Sequence, residues 1–268
     1  MGQSIRGGWK AAVMLGVAAA VSAAAEDAAP FLTAHRRAEP LAQTKNWQEA
    51  AKVYEAFAAE HASDAYAPVA SVFQGIILRR ELKQPAQAKL AFERAARAPD
   101  TPLGNELKQV AMAWIARMQM EQVDAALRKY YVKKVEYPEK LDELVAGKLV
   151  SPEELIDPWG KPIGYRAGTL GFAPKVPRQK YWLTCSSIEG DSGRFKQILK
   201  DSVTFGRQYQ VKAITTGDQL KAVLAPADDP KKALSVSEGT KVGSAKVIKI
   251  TTDVVILSDS DLVAVLTR

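Results

Sequence analysis

Cysteine and histidine are nearly missing from this 268-residue chain: Cys185 stands alone, and His35 and His61 are the only histidines. A lone cysteine excludes an intramolecular disulfide; Cys185 reads as a small buried residue in a strand. Neither histidine is close in sequence to Cys185 or to a serine in a nucleophile turn, so Cys-His and Ser-His-Asp chemistry find no support. The run Gly239-Thr240-Lys241-Val242-Gly243-Ser244 lacks the Gly-Lys-Ser/Thr ending that cradles phosphate, and reads as a turn flanking strands. Neighbouring acid pairs, Glu153 with Glu154 and Asp228 with Asp229, have the pattern of a solvated surface. A strong excess of either charge is also lacking. Basic residues number 37 and acidic 30, and they interleave, as where Lys231 and Lys232 follow Asp228 and Asp229, so no nucleic-acid partner is expected.

With 47% hydrophobic and 25% charged residues, the chain has the composition of a folded globular protein with room for two or three domains. The start reads as an export signal, with Arg6 and Lys10 ahead of an apolar run at residues 11–20 and small residues at 22–25 before Glu26. That run is shorter than the roughly 20 residues a bilayer span needs; an uncleaved anchor is the alternative. No cysteine follows it, which argues against a lipid anchor. Removing residues 1–25 takes the formal net charge from +7 to +5.

Residues 39–99 are Ala-rich and amphipathic at helical spacing, and they repeat. Trp47, Ala50, Ala51, Tyr54 and Phe57 precede His61, while Ala88, Phe92 and Ala95 precede Pro99, with small and large positions offset alike. This resembles a tetratricopeptide pair with 65–82 as the intervening helix; a plain helical hairpin is the alternative. So few units imply packing on a neighbouring module or a partner. Pro102 and Gly104 introduce a longer helix, whose apolar stripe runs from Leu107, Val110, Trp114 and Met118 to Met120, Val123, Leu127 and Tyr130. A short helix at 139–145 and a Ser151/Glu154 capping box follow.

The next signal is a constellation in fixed order: Ala126-Leu127-Arg128-Lys129-Tyr130-Tyr131, Tyr137-Pro138, Asp157-Pro158-Trp159-Gly160-Lys161-Pro162, Tyr165, then Tyr181-Trp182-Leu183. Tyr137 before proline is forced into an extended exit from the helix. Asp157 can accept backbone hydrogen bonds across a turn, Pro158 fixes φ, and Gly160 permits a left-handed residue. Trp159 can then lay its ring over the base of the long helix. Order and spacing over 106–193 resemble the major pseudopilin of type II secretion, which implies a long helix tied by a rigid loop to a small antiparallel sheet, with these residues structural. The prepilin-peptidase site and adjoining hydrophobic helix of that family have no counterpart here. Its acidic calcium loop is matched only by Glu189 and Asp191 before Arg194, Phe195 and Lys196. Two carboxylates fall short of the usual six to eight oxygens, so no cofactor or metal is expected, with calcium as the alternative.

From residue 208, short β-branched runs at 209–214, 220–224, 233–236, 246–250, 254–257 and 262–266 alternate with turn signals, the pattern of antiparallel meanders. They resemble the periplasmic homology-region domain of the type II secretion inner-membrane component and of its relative, the pilus-assembly lipoprotein; an unrelated small β barrel is the alternative. The expected fold is α+β and multidomain: a signal peptide at 1–25, helical repeats at 26–100, a pseudopilin-like module at 101–193, a linker at 194–207 and a small all-β domain at 208–268. The resemblances imply a periplasmic, non-enzymatic assembly or adaptor component of a type II secretion or type IV pilus-like machine, with a secretin N-terminal domain as candidate partner. The expected contact is strand addition at an open edge carrying Leu220, Val223 and Leu224. A general periplasmic scaffold is the alternative, and a hydrolase with an unrecognised site the third reading.

Overall fold

The computed structural model describes residues 27–169, 177–188, 208–217, 219–259 and 261–268. The expected signal peptide, the 194–207 linker, and Glu189 and Asp191 lie outside the described residues. The chain is mixed α+β, with helices followed by several small antiparallel sheets. Helices α1 (Ala29–Gln43), α2 (Trp47–Glu60), α3 (Ala67–Arg80) and α4 (Pro85–Ala95) pack each on the next and lead into the 33-residue α5 (Pro102–Lys134). Proline in the first two positions of α1, α3, α4 and α5 presets φ where a missing N–H costs nothing. Thr101 caps α5 by accepting from the Gly104 amide at 3.0 Å.

Of the repeat residues, Ala50, Ala51, Tyr54 and Phe57 on α2 and Ala88, Phe92 and Ala95 on α4 fall in the core, and Trp47 is partly buried against it. Helix α1 begins ten residues before the amphipathic stretch read from sequence. Pro40 lies inside it and masks its helical pattern, because proline ordinarily ends a helix. His35 of α1 is buried, with Nδ1 2.8 Å from the Tyr54 hydroxyl, and burial holds its pKa below the usual value. His61 caps the end of α2.

After α5 come α6 (Asp142–Ala146), a 3-10 turn at Pro152–Leu155 and a hairpin of β1 (Gly164–Gly168) and β2 (Lys180–Thr184). The capping box forms: the Ser151 amide donates to Glu154 Oε2 at 2.6 Å. A second sheet has the order β3 (Tyr209–Thr215), β4 (Lys221–Pro226), β5 (Leu234–Val236); a third is a meander of β6 (Lys241–Val242), β7 (Ala245–Ile250), β8 (Val254–Asp259) and β9 (Leu262–Thr267).

The apolar cores cut across the boundaries read from sequence. One cluster joins α1–α4 and the front of α5 to both C-terminal sheets; the other gathers the rear of α5 with α6, β1 and β2. The β strands therefore share a core with the helices they were expected to follow as a separate unit. One correction concerns the edge strand. β4 is the middle strand, and Val223 pairs with Ala213 on one side and Ser235 on the other. Leu224 is fully buried and Leu220 packs on the core just before β4. The Pro226 to Pro230 loop, which suggested an interrupted edge, is the crossing between two paired strands.

Candidate functional site

The Asp157 turn assembles as a small network of hydrogen bonds. Pro158 and Gly160, the latter at φ +81°, fold the chain so that the Gly160 amide donates to the Asp157 carbonyl at 2.9 Å and the Asp157 amide to the Lys161 carbonyl at 2.7 Å. The Asp157 side chain is buried inside this turn. Its Oδ1 accepts from the amides of Trp159 at 3.0 Å and Lys161 at 2.8 Å. Its Oδ2 accepts from the Ser187 hydroxyl at 2.7 Å and the Cys185 thiol at 3.3 Å. Burial alone would raise the carboxyl pKa, but the bonds from Lys161, Ser187, Cys185 and Trp159 outweigh it and hold the group below the usual range. Burial pushes the Cys185 thiol up, away from the thiolate that nucleophilic chemistry requires. Cys185 lies one residue past β2, not within a strand as expected.

This turn lies along α5. Trp159 is half-buried, not sealed in the core, and its indole N–H donates to Gln109 Oε1 at 3.0 Å. Gln119 donates to the Ile156 carbonyl at 3.2 Å. On another face of the same stretch, α5 meets the β8–β9 turn. Trp114 is fully buried and donates to the Asp261 carbonyl at 2.6 Å. Arg117 bonds both carboxylate oxygens of Asp261, Nε to Oδ1 at 3.0 Å and Nη2 to Oδ2 at 2.8 Å. The Trp114 ring stacks on Phe92 at 5.3 Å, and Gly75 makes room for Phe92, since a Cβ there would stand 2.7 Å from that ring.

A tyrosine cluster closes the rear of α5. The Tyr137 amide donates to the Arg178 carbonyl and Arg178 Nε donates to the Tyr137 carbonyl, both at 2.8 Å. The Tyr137 ring lies 4.6 Å from each of Tyr131 and Tyr181. The Tyr165 hydroxyl donates to the carbonyl of buried Pro138 at 2.7 Å, and Tyr181 donates to Asp124. Burial, followed by the neighbouring Tyr131, pushes the Tyr137 phenol up; burial does the same at Tyr165 and Tyr181.

Tyr137, Pro138 and Tyr165 thus meet at the end of α5, while Asp157, Pro158, Trp159 and Gly160 form a separate turn against its middle. Among the residues expected to bind a partner, Leu220 lines a groove of about 600 Å³ with Asp27, Ser237, Glu238, Lys249 and Asp253. Val223 and Leu224 are not among the groove's lining residues. Ser187, Arg117 and Asp261 are structural residues that sequence reasoning missed; each acts across a long separation and leaves no local pattern. Among the described residues, no three His, Cys, Asp or Glu side chains converge to hold a metal ion, and no helix is long and apolar enough to cross a membrane. No family model, curated protein or solved structure matches the chain.

Proposed function

We propose that the chain is a non-enzymatic assembly or adaptor component of a type II secretion or type IV pilus-like envelope machine, acting through protein contacts in the periplasm. The observation that carries this reading is the order in which four elements meet. A long helix ends in a tyrosine cluster, a Tyr-Pro step leads away from it, a rigid Asp-Pro-Trp-Gly turn returns along it, and a two-stranded antiparallel sheet follows. That succession is what the resemblance to a major pseudopilin implies. Under this reading α1–α4 are tetratricopeptide-like, residues 208–268 are the homology-region-like part, and a secretin N-terminal domain is the partner. No cofactor enters.

Two measurements test it. Affinity purification of the tagged chain from envelopes, with mass spectrometry of bound proteins, should enrich a secretin or other components of the apparatus. A partner set free of such components would remove the reading. Intact mass should place the mature start near Glu26, and a retained Met1 would remove the cleaved-export part of it. The sequential stacking of α1–α4 onto α5 also favours a second reading, a periplasmic scaffold for other envelope proteins, which the same purification separates by the identity of what it enriches.

A further inference from the structure

The rear end of α5 combines three features that the adaptor reading does not use. Val132 and Val135 are 81% and 66% exposed, the two most exposed large apolar residues described. Val135 also adopts a left-handed conformation, φ 60° and ψ 14°, immediately after the helix. Glycine ordinarily fills that place, and a β-branched residue there is strained. The other left-handed non-glycine residues described are all lysines. Around the valines stand Arg128, Lys129, Lys133 and Lys134, every one exposed. Of the acids nearby, Asp124 binds Tyr181 and pairs with Arg128, offsetting that charge, while Glu136 pairs with Arg178 and Glu143 with Tyr130.

Val132 lies one turn beyond Arg128 on the same face of α5, and Val135 stands just past the helix end, where the chain leaves it. Neither folding nor solubility asks for this arrangement, because a glycine at 135 and a polar residue at 132 would serve both better. Strain that persists where the fold does not need it marks a working surface.

We infer that this helix end docks on an anionic lipid surface, with the valines entering the boundary between headgroups and acyl chains and Lys129, Lys133 and Lys134 facing lipid phosphates. Charge complementarity selects an anionic partner. The size of the patch selects lipid over protein: five side chains on one helix end fall far short of the roughly 20–30 residues a side of a stable protein interface. A bilayer instead gains from each cation near its surface and from small apolar insertions. The inference does not depend on the secretion reading and survives its failure.

The test uses the chain from Glu26 onward, which holds every described element, with vesicles of phosphatidylcholine alone or mixed with phosphatidylglycerol. Binding to the mixed vesicles only, weakened by salt, is expected. Lys133→Glu with Lys134→Glu should weaken it by about tenfold or more. Val132→Cys carrying an environment-sensitive dye should shift to the blue on binding; Cys185 is buried and stays unlabelled. Val135→Gly should raise Tm by relieving the strain and yet weaken vesicle binding, a divergence that a purely structural role would not produce. Equal binding to both vesicle types, or no effect of the charge reversals in variants with wild-type circular dichroism, overturns the inference. So does binding to polyglutamate without binding to vesicles, which would assign the patch to an acidic protein.

Discussion

Asp157 and Asp261 are both buried in turns, and both turns press on the middle of α5, but different groups satisfy them. Asp157 is held by neutral donors: two amides of its own turn, a hydroxyl and a thiol. Asp261 is held by a guanidinium from the helix itself. Gln109 and Gln119 receive the first turn, Trp114 and Arg117 the second. At about 100° per residue the two pairs are centred roughly 150° apart around the helix. The helix is thus clamped from nearly opposite faces, and each clamp belongs to a different core. One carboxylate shapes its own loop, and the other welds distant parts of the chain together.

The largest effect should come from breaking the second clamp. Arg117 and Asp261 are 2% and 4% exposed at the side chain, so removing one partner strands a buried charge. Arg117→Ala should cost about 3–5 kcal/mol in equilibrium denaturation, whereas replacing both residues with apolar groups of similar volume should cost far less. If the single and double replacements cost the same, the pair is not the weld that its geometry describes.

At Asp157 a smaller loss is expected, about 2–3 kcal/mol for Asp157→Ala, because the stranded donors are neutral and some can reach water. The pH dependence sharpens the contrast. The folded-state pKa of Asp157 is depressed, so its contribution is complete above the unfolded value of about 3.9 and is lost as pH falls through the folded value. Urea denaturation from neutral pH to below that range should show wild type losing more stability than Asp157→Asn, which has no proton to take up there. Parallel curves would assign the acid sensitivity to other groups.

The two turns also differ in how far the sequence discloses them. Asp157, Pro158 and Gly160 each act within four residues, so turn chemistry reveals the loop and even its contact with α5. Their inner partners Cys185 and Ser187 come from 28 and 30 residues away and carry no local mark. Asp261 reads only as part of a polar turn, since its partner is 144 residues earlier. Helices α2 to α5 and most strands are visible as periodicity. The shared core of helices and sheets is not, because burial patterns show which face is apolar without naming what covers it. The edge expectation at Val223 failed for the same reason. A strand's run of residues does not announce its rank in the sheet, and proline at 223 would now disrupt a strand paired on both sides.

Trp159 tests how much of the first clamp is packing. A fully buried ring would make Trp159→Ala cost about 3–5 kcal/mol. The ring is half-buried, with its indole N–H on Gln109, so about 1–2 kcal/mol is expected. Trp159→Phe, which keeps a ring and loses the N–H, should recover more than half of that. A loss as large as that at Arg117 would mean that the aspartate turn is the dominant grip on α5.

The smallest expected quantity is the interaction between the clamps. Trp159→Ala and Arg117→Ala act on different faces of α5, in different cores and through different hydrogen-bond networks. If α5 is a stiff rod between them, neither change is felt by the other network. The double variant should then lose the sum of the single losses to within about 0.5 kcal/mol. Additivity requires that helical circular dichroism and tryptophan fluorescence report one transition, because only a cooperative unfolding lets losses be added. Two resolved transitions, each moved by one variant alone, would show that the cores melt separately and that α5 does not couple them. A single transition with an interaction well above 0.5 kcal/mol would show that releasing one face lets the helix shift on the other, making the two turns one clamp.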